Sequence, residues 1–126
     1  MQTILRGSIK GNAPVLNAKI NKNKTLEFTS KGKLPLVVDT GFTDGIALPK
    51  QIIKKLRTEF VGYESFILAD GTSVKAKVFL GFVKVGNYNI ATTFIEGDHL
   101  IGMEFMASIA NELKIDLKKK TVELLK

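Results

Sequence analysis

The stretch ESFILADGTSVKAKVFLGFVKVGNYNIATTFIE, residues 64 to 96, constrains the fold more than any other part of the chain. It holds three turn signals, Asp70-Gly71, Gly81 and Gly86-Asn87, between runs rich in β-branched and aromatic residues. Within SVKAKVF, Val74, Ala76 and Val78 share one side while Lys75 and Lys77 share the other. That is the period of two of a half-buried strand. Asp-Gly between two such runs is a strong hairpin signal, because the tight turn needs residues that tolerate positive φ. The flanks agree. APVLNAKIN and TLEFTS alternate in the same period around the polar turn NKNK, and KLPLVVD reads as a more fully buried strand. DGIALP reads as a turn and a short extended piece, and IDLKKKTVELL as two short extended pieces around a lysine turn or one longer strand.

Two segments depart from this period. Pro49 suits the first turn of a helix, where its missing N–H matters least. Ile52, Ile53, Leu56 and Phe60 follow on one apolar face, so a helix is expected over roughly 49–58. Met103, Met106, Ile109, Ala110 and Leu113 recur at helical spacing and predict a second amphipathic helix, with its methionines filling core. A strand, a sharp Gly-containing turn and a helix therefore occur twice, at LPLVVDTG…LPKQIIKKL and at TTFIEGDHLIGMEFMASIANEL. This echo predicts one pseudo-symmetric, all-β domain with two short helices.

A chain of 126 residues, 44% of them hydrophobic, supports one modest core. It has no cysteine, which excludes disulfides and thiolate metal sites. MQTILRGSIKGNAPV lacks the continuous apolar segment of a signal peptide, and runs such as VFLGFV fall far short of the roughly 20 residues that span a bilayer. The expectation is a soluble, cytoplasmic protein with no membrane partner. Net charge is +7, and residues 1 to 33 hold seven Lys/Arg against the single acid Glu27. Such a balance attracts nucleic acid or acidic partners. No RNP-type aromatic pair, zinc-finger spacing or recognition-helix pattern accompanies it, so a solvated surface is the plainer reading and nucleic acid is not an expected partner.

The remaining question is Asp39, which ends the apolar run LPLVV and precedes Thr40 and Gly41. Charge at the edge of a core is costly unless paired or hydrogen-bonded. Gly41 permits a tight turn and close backbone approach, and the Thr40 hydroxyl can pin a loop. A carboxylate so held is presented rigidly to a cleft. Two of them face to face share one proton, because like charges in contact do not both ionise cheaply. The ionised member then takes a proton from water while the protonated one polarises a carbonyl.

VVDTGFTDGIALP, LADGTSVKAKVFLGFVKVG and LIGMEFM, in this order, resemble the retropepsin-like aspartic proteases, in particular a prokaryotic group of small soluble members with Phe after the motif. The resemblance covers about residues 12–125 of a single 1–126 domain. It implies a closed or partly open β-barrel-like fold. It also implies that Asp39 is catalytic, that Thr40 locks the catalytic loops across a dimer, and that Gly41 lies beside substrate or carboxylate. Leu68, Ala69, Asp70, Gly71 and Thr72 match the flap that closes on a bound peptide. Leu100, Ile101 and Gly102 match the strand that threads the catalytic loop, with the helix following over Met103 to Leu113. One motif per chain implies a homodimer acting on a peptide or protein substrate, without metal or cofactor. Phe42 stands where many members have Ala or Ser, and the hairpin tip has one glycine where viral flaps are glycine-rich, so viral substrate preferences do not transfer.

Other polar residues have plainer readings. Asp44 and Asp70 belong to turns, and His99, the single histidine, is a loop residue beside Asp98. One histidine supplies neither a Ser-His-Asp triad nor a histidine-based metal site. Glu96, Asp98 and Glu104 read as loop acids, and no phosphate-binding glycine loop occurs. Two further functional classes stand beside the endopeptidase: a non-catalytic peptide- or protein-binding module on the same fold, and, more weakly, a basic nucleic-acid-binding domain.

Overall fold

The computed structural model describes residues 2–126. Eleven strands and two short helices follow in the order β1 (Thr3–Lys10), β2 (Ala13–Ile20), β3 (Leu26–Phe28), β4 (Leu34–Val38), β5 (Ile46–Leu48), α1 (Lys50–Ile53), β6 (Thr58–Ile67), β7 (Ser73–Val85), β8 (Tyr88–Glu96), β9 (Leu100–Ile101), α2 (Met103–Ile109), β10 (Glu112–Asp116) and β11 (Thr121–Leu125). The fold is all-β and barrel-like, as expected. Its strands run β10-β11-β1-β2-β3-β7-β8-β5-β9-β4, and β4 pairs back onto β2. That last pairing closes a barrel of seven strands. β2 makes closure possible by using both edges. One edge is divided between β1 at Ala13–Val15 and β3 at Ala18–Ile20, and the other carries β4 along Val15–Ala18.

Leu16, Leu26, Leu36, Ile46, Phe94 and Ile101 meet in the barrel interior, each fully buried. All three residues of β5 are buried, as expected for a strand enclosed on both faces. The helices close the core: α1 contributes Ile53, and α2 contributes Phe105, Met106 and Ile109, whereas Met103, expected in the core, is exposed at the start of α2. Phe105 packs its ring 5.6 Å from that of Phe28.

The internal echo is visible in the pairing. β4 runs parallel to β9, β8 runs parallel to β5, and β5 and β9 pair antiparallel. Exchanging β4 with β8 and β5 with β9 returns the same set of pairings.

Four sequence expectations are corrected in extent. The helix expected over 49–58 is a single turn, Lys50–Ile53. Arg57 donates its N–H to the Lys24 carbonyl at 2.8 Å, and Thr58 already pairs with Gly81. Ile53 and Leu56 are buried as the apolar face requires, but Phe60 belongs to β6 and packs on Phe79 and Tyr63 instead. The second helix stops at Ile109 because Ala110 turns extended and Asn111 donates to the Leu125 carbonyl, so Leu113 lies in β10. Gly81 is not a turn but a buried mid-strand residue, where a Cβ would press on the Phe94 ring and the Thr58 methyl. β1 fills a segment to which the sequence assigned no element. The Asp70-Gly71 and Gly86-Asn87 turns lie where expected, and the C-terminal segment takes the two-strand form.

Phe105 is 1% exposed and Tyr88 73% exposed. Phe105→Ala is expected to cost about 3–5 kcal/mol of unfolding free energy. Tyr88→Ala is expected to stay within about 0.5 kcal/mol. Urea titration of both variants checks the placement of the core.

Candidate active site

The turn after β4 is built around Asp39. Its N–H donates to the Ile101 carbonyl at 3.0 Å, two residues after Val37 donates to the His99 carbonyl at 2.9 Å. The chain then reverses, with Phe42 N–H donating to the Asp39 carbonyl at 3.2 Å and Gly41 N–H donating to Asp39 Oδ1 at 2.9 Å. A half-buried carboxylate is thus anchored through one oxygen. Thr40 and Gly41 are exposed beside it. Thr40 borders an apolar cleft of about 300 Å³ whose walls include Met103, Met106, Ala107, Ala110 and Leu124.

Leu100, Ile101 and Gly102 run beside this loop. β9 inserts between β4 and β5, and Gly102 donates its N–H to the Gly45 carbonyl at 2.7 Å. Gly102 must lack a side chain, since a Cβ would run into the Asp44 carbonyl and crowd the Phe42 ring. Phe42 therefore leans over Gly102, and its carbonyl accepts the Met103 N–H at 2.8 Å. Here the ring packs on the start of α2.

Leu68, Ala69, Asp70, Gly71 and Thr72 form the exposed tip of the β6–β7 hairpin. Leu68 donates to the Thr72 carbonyl at 2.8 Å, and Gly71, at φ 86°, takes the left-handed conformation the turn demands. Asp70 is a turn residue: its Oδ1 accepts from the Thr72 hydroxyl at 2.6 Å and the Thr72 N–H at 2.9 Å. Those bonds, the hydroxyl first, hold its carboxyl below the usual range. β7 pairs with β8 only over Val78–Val85, whereas β6 accompanies it out to Ser73. The outer hairpin is therefore a two-stranded ribbon projecting from the barrel.

One grouping escapes the sequence. Glu64, on the ribbon, comes close to Asp44 and Glu104, and partial burial followed by the Asp44 charge raises its carboxyl above the usual range. Glu104 is held there because its N–H meets the carbonyls of Thr43 and Asp44, each at 3.2 Å. The ribbon base thus lies within electrostatic reach of the loop that carries Asp39. Asp44 and Glu104 read as ordinary turn and loop acids because the influence of Glu64 on them depends on the tertiary placement of β6. Among the described residues no three such side chains form a metal-binding group. His99 and Asp98 pair at 3.4 Å on the exposed loop before β9. No described helix is long and apolar enough to cross a membrane.

No family model matches the chain, and no curated protein matches it.

A carboxylate whose pKa is raised in the folded state favours folding when protonated and loses that contribution as pH rises through the folded value. Glu64→Gln is therefore expected to raise the unfolding temperature at neutral pH, where Asp44, Glu64 and Glu104 repel, and to lose its advantage in acid. Thermal melts of both proteins across this pH range check the sign.

Proposed function

We propose that the protein is an aspartic endopeptidase of retropepsin-like type, working as a homodimer in which each copy contributes Asp39. The observation that carries this reading is the anchoring of Asp39: Oδ1 bound by the Gly41 N–H and the backbone bound to Ile101. A carboxylate held in this way resists reorientation as charge shifts during reaction, which favours electrostatic catalysis. Two Asp39 side chains across a two-fold axis share one proton. The ionised one removes a proton from a water, which attacks the scissile carbonyl, and the protonated one hydrogen-bonds the carbonyl oxygen. The proton then passes to the leaving amine as the C–N bond breaks.

Exposed Thr40 and the 41% exposed Met103 beside it support pairing of two copies at this end of the barrel. The hairpin ribbon supports a peptide substrate. Its edge strand β6 has one side unpaired, and an extended peptide can add to such an edge.

A second reading, a peptide-binding module without catalysis, is favoured by the exposed apolar side chains of the same ribbon, Tyr63, Ile67, Leu68 and Val74. Peptide-library cleavage from acid to neutral pH separates the two. The enzyme reading predicts cleavage that Asp39→Asn lowers at least about 100-fold without lowering the unfolding temperature. Cleavage untouched by Asp39→Asn contradicts the role of Asp39. Peptide retention with no cleavage under any condition establishes the module.

A further inference from the structure

A groove of about 410 Å³ lies between the β2–β3 turn and the outer face of β7 and β8, and it shares no residue with the Asp39 loop or the hairpin tip. Its lining combines two cations, Arg57 and Lys84, one aromatic ring, Phe82, and the carboxamides of Asn21, Asn23 and Asn89. The volume falls within the roughly 300–1,000 Å³ usual for small-ligand sites.

The groove is preorganised. Asn21 Oδ1 accepts the N–H groups of Asn23 at 2.9 Å and Thr25 at 3.1 Å, which fixes the turn. Arg57 is tied to that turn by its 2.8 Å bond to the Lys24 carbonyl. Lys84 faces Asn89 across the β7–β8 ladder, and Phe82 faces only Ala91, so its ring remains 56% exposed. Neither cation is paired: among the described residues the ion pairs are Arg6–Glu123 and Asp98–His99. Glu27, opposite Lys84 in the β3–β7 register, has its carboxylate engaged by the Asn21 amide at 3.1 Å.

We propose that this groove binds single-stranded nucleic acid, seating one nucleotide with its base stacked on Phe82 and its phosphates on Arg57 and Lys84. Stacking on an aromatic ring beside cations that track a backbone is how single strands are held without strong sequence preference. The exposed carboxamides of Asn23 and Asn89 offer paired donors and acceptors to a base edge. Lys22 and Lys24 on the adjoining turn and the +7 net charge extend the attraction to neighbouring phosphates. An acidic peptide would use the cations and leave the ring and carboxamides idle, so the strand is the better fit. Charge alone named no partner in the sequence. What the fold adds is one ring brought into the same groove as a lysine and an arginine that lie 27 positions apart along the chain, 84 against 57.

The test is fluorescence anisotropy of the full chain with a labelled oligoadenylate over a salt series, with AMP and oligoglutamate as competitors. Arg57→Ala and Lys84→Ala are each expected to lower the log–log salt slope by about 0.7. Phe82→Ala is expected to weaken binding at least about fivefold with the slope unchanged. Lys118→Ala, outside the groove, is expected to leave affinity nearly unchanged, and unfolding temperatures confirm that each variant is folded. Undiminished binding by Phe82→Ala, or displacement by oligoglutamate as effective as by unlabelled oligoadenylate, would overturn the proposal. AMP competing as well as the oligonucleotide would equally overturn it in favour of a free-nucleotide site.

Discussion

Two residues, Leu100 and Ile101, hold the arrangement together. β9 is the shortest strand in the barrel, yet it pairs with β4 on one side and β5 on the other. Without it β4 and β5 would have no common neighbour, the seven-strand ring would stay open, and the turn between them would be an unsupported loop. The Ile101 carbonyl takes the Asp39 N–H, and Gly102 then passes close to Asp44 at a place that tolerates no side chain. The backbone that closes the core is the same backbone that positions the acid.

This explains why an acid can stand at the end of so apolar a strand. Val38 is buried and Asp39 only partly so, and its carboxylate meets a backbone N–H as it leaves the core. Buried charge without such partners is costly. The pseudo-symmetric counterpart, the turn between β8 and β9, reads EGDH and lies on the exposed surface with Asp98 beside His99. The two halves share a pairing pattern and differ in chemistry. Only the first half presents an anchored carboxylate next to the hairpin, so the proposed reaction needs a second chain.

Local pattern revealed much of this fold. Alternation located the β6–β7 and β7–β8 hairpins, and the repeat of strand, turn and helix pointed to two similar halves, though not to the pairing of β4, β5, β8 and β9 that relates them. The errors arose where long-range pairing overrode a local period. Phe60 continues the helical spacing of Ile52, Ile53 and Leu56, but β7 offers it Phe79 and a full ladder of backbone bonds. Leu113 continues the spacing of Met106 and Ile109, but β11 captures the chain from Asn111 onward. Gly81 carries a turn residue's identity for a packing reason, since its neighbours Phe94 and Thr58 come from distant segments. In the site, the Asp39 motif is local and therefore readable. The electrostatic influence of Asp44 and Glu104 on Glu64 joins residues of three separate segments and has no local signature.

One measurement bears most directly on whether Asp39 is half of a site. Sedimentation velocity and peptidase rate are followed together on the same samples, over a wide protein concentration range and with substrate peptide present. A homodimeric enzyme predicts that specific activity rises with the dimer fraction and vanishes on dilution to monomer. Full specific activity in a sample that sediments only as monomer would contradict it.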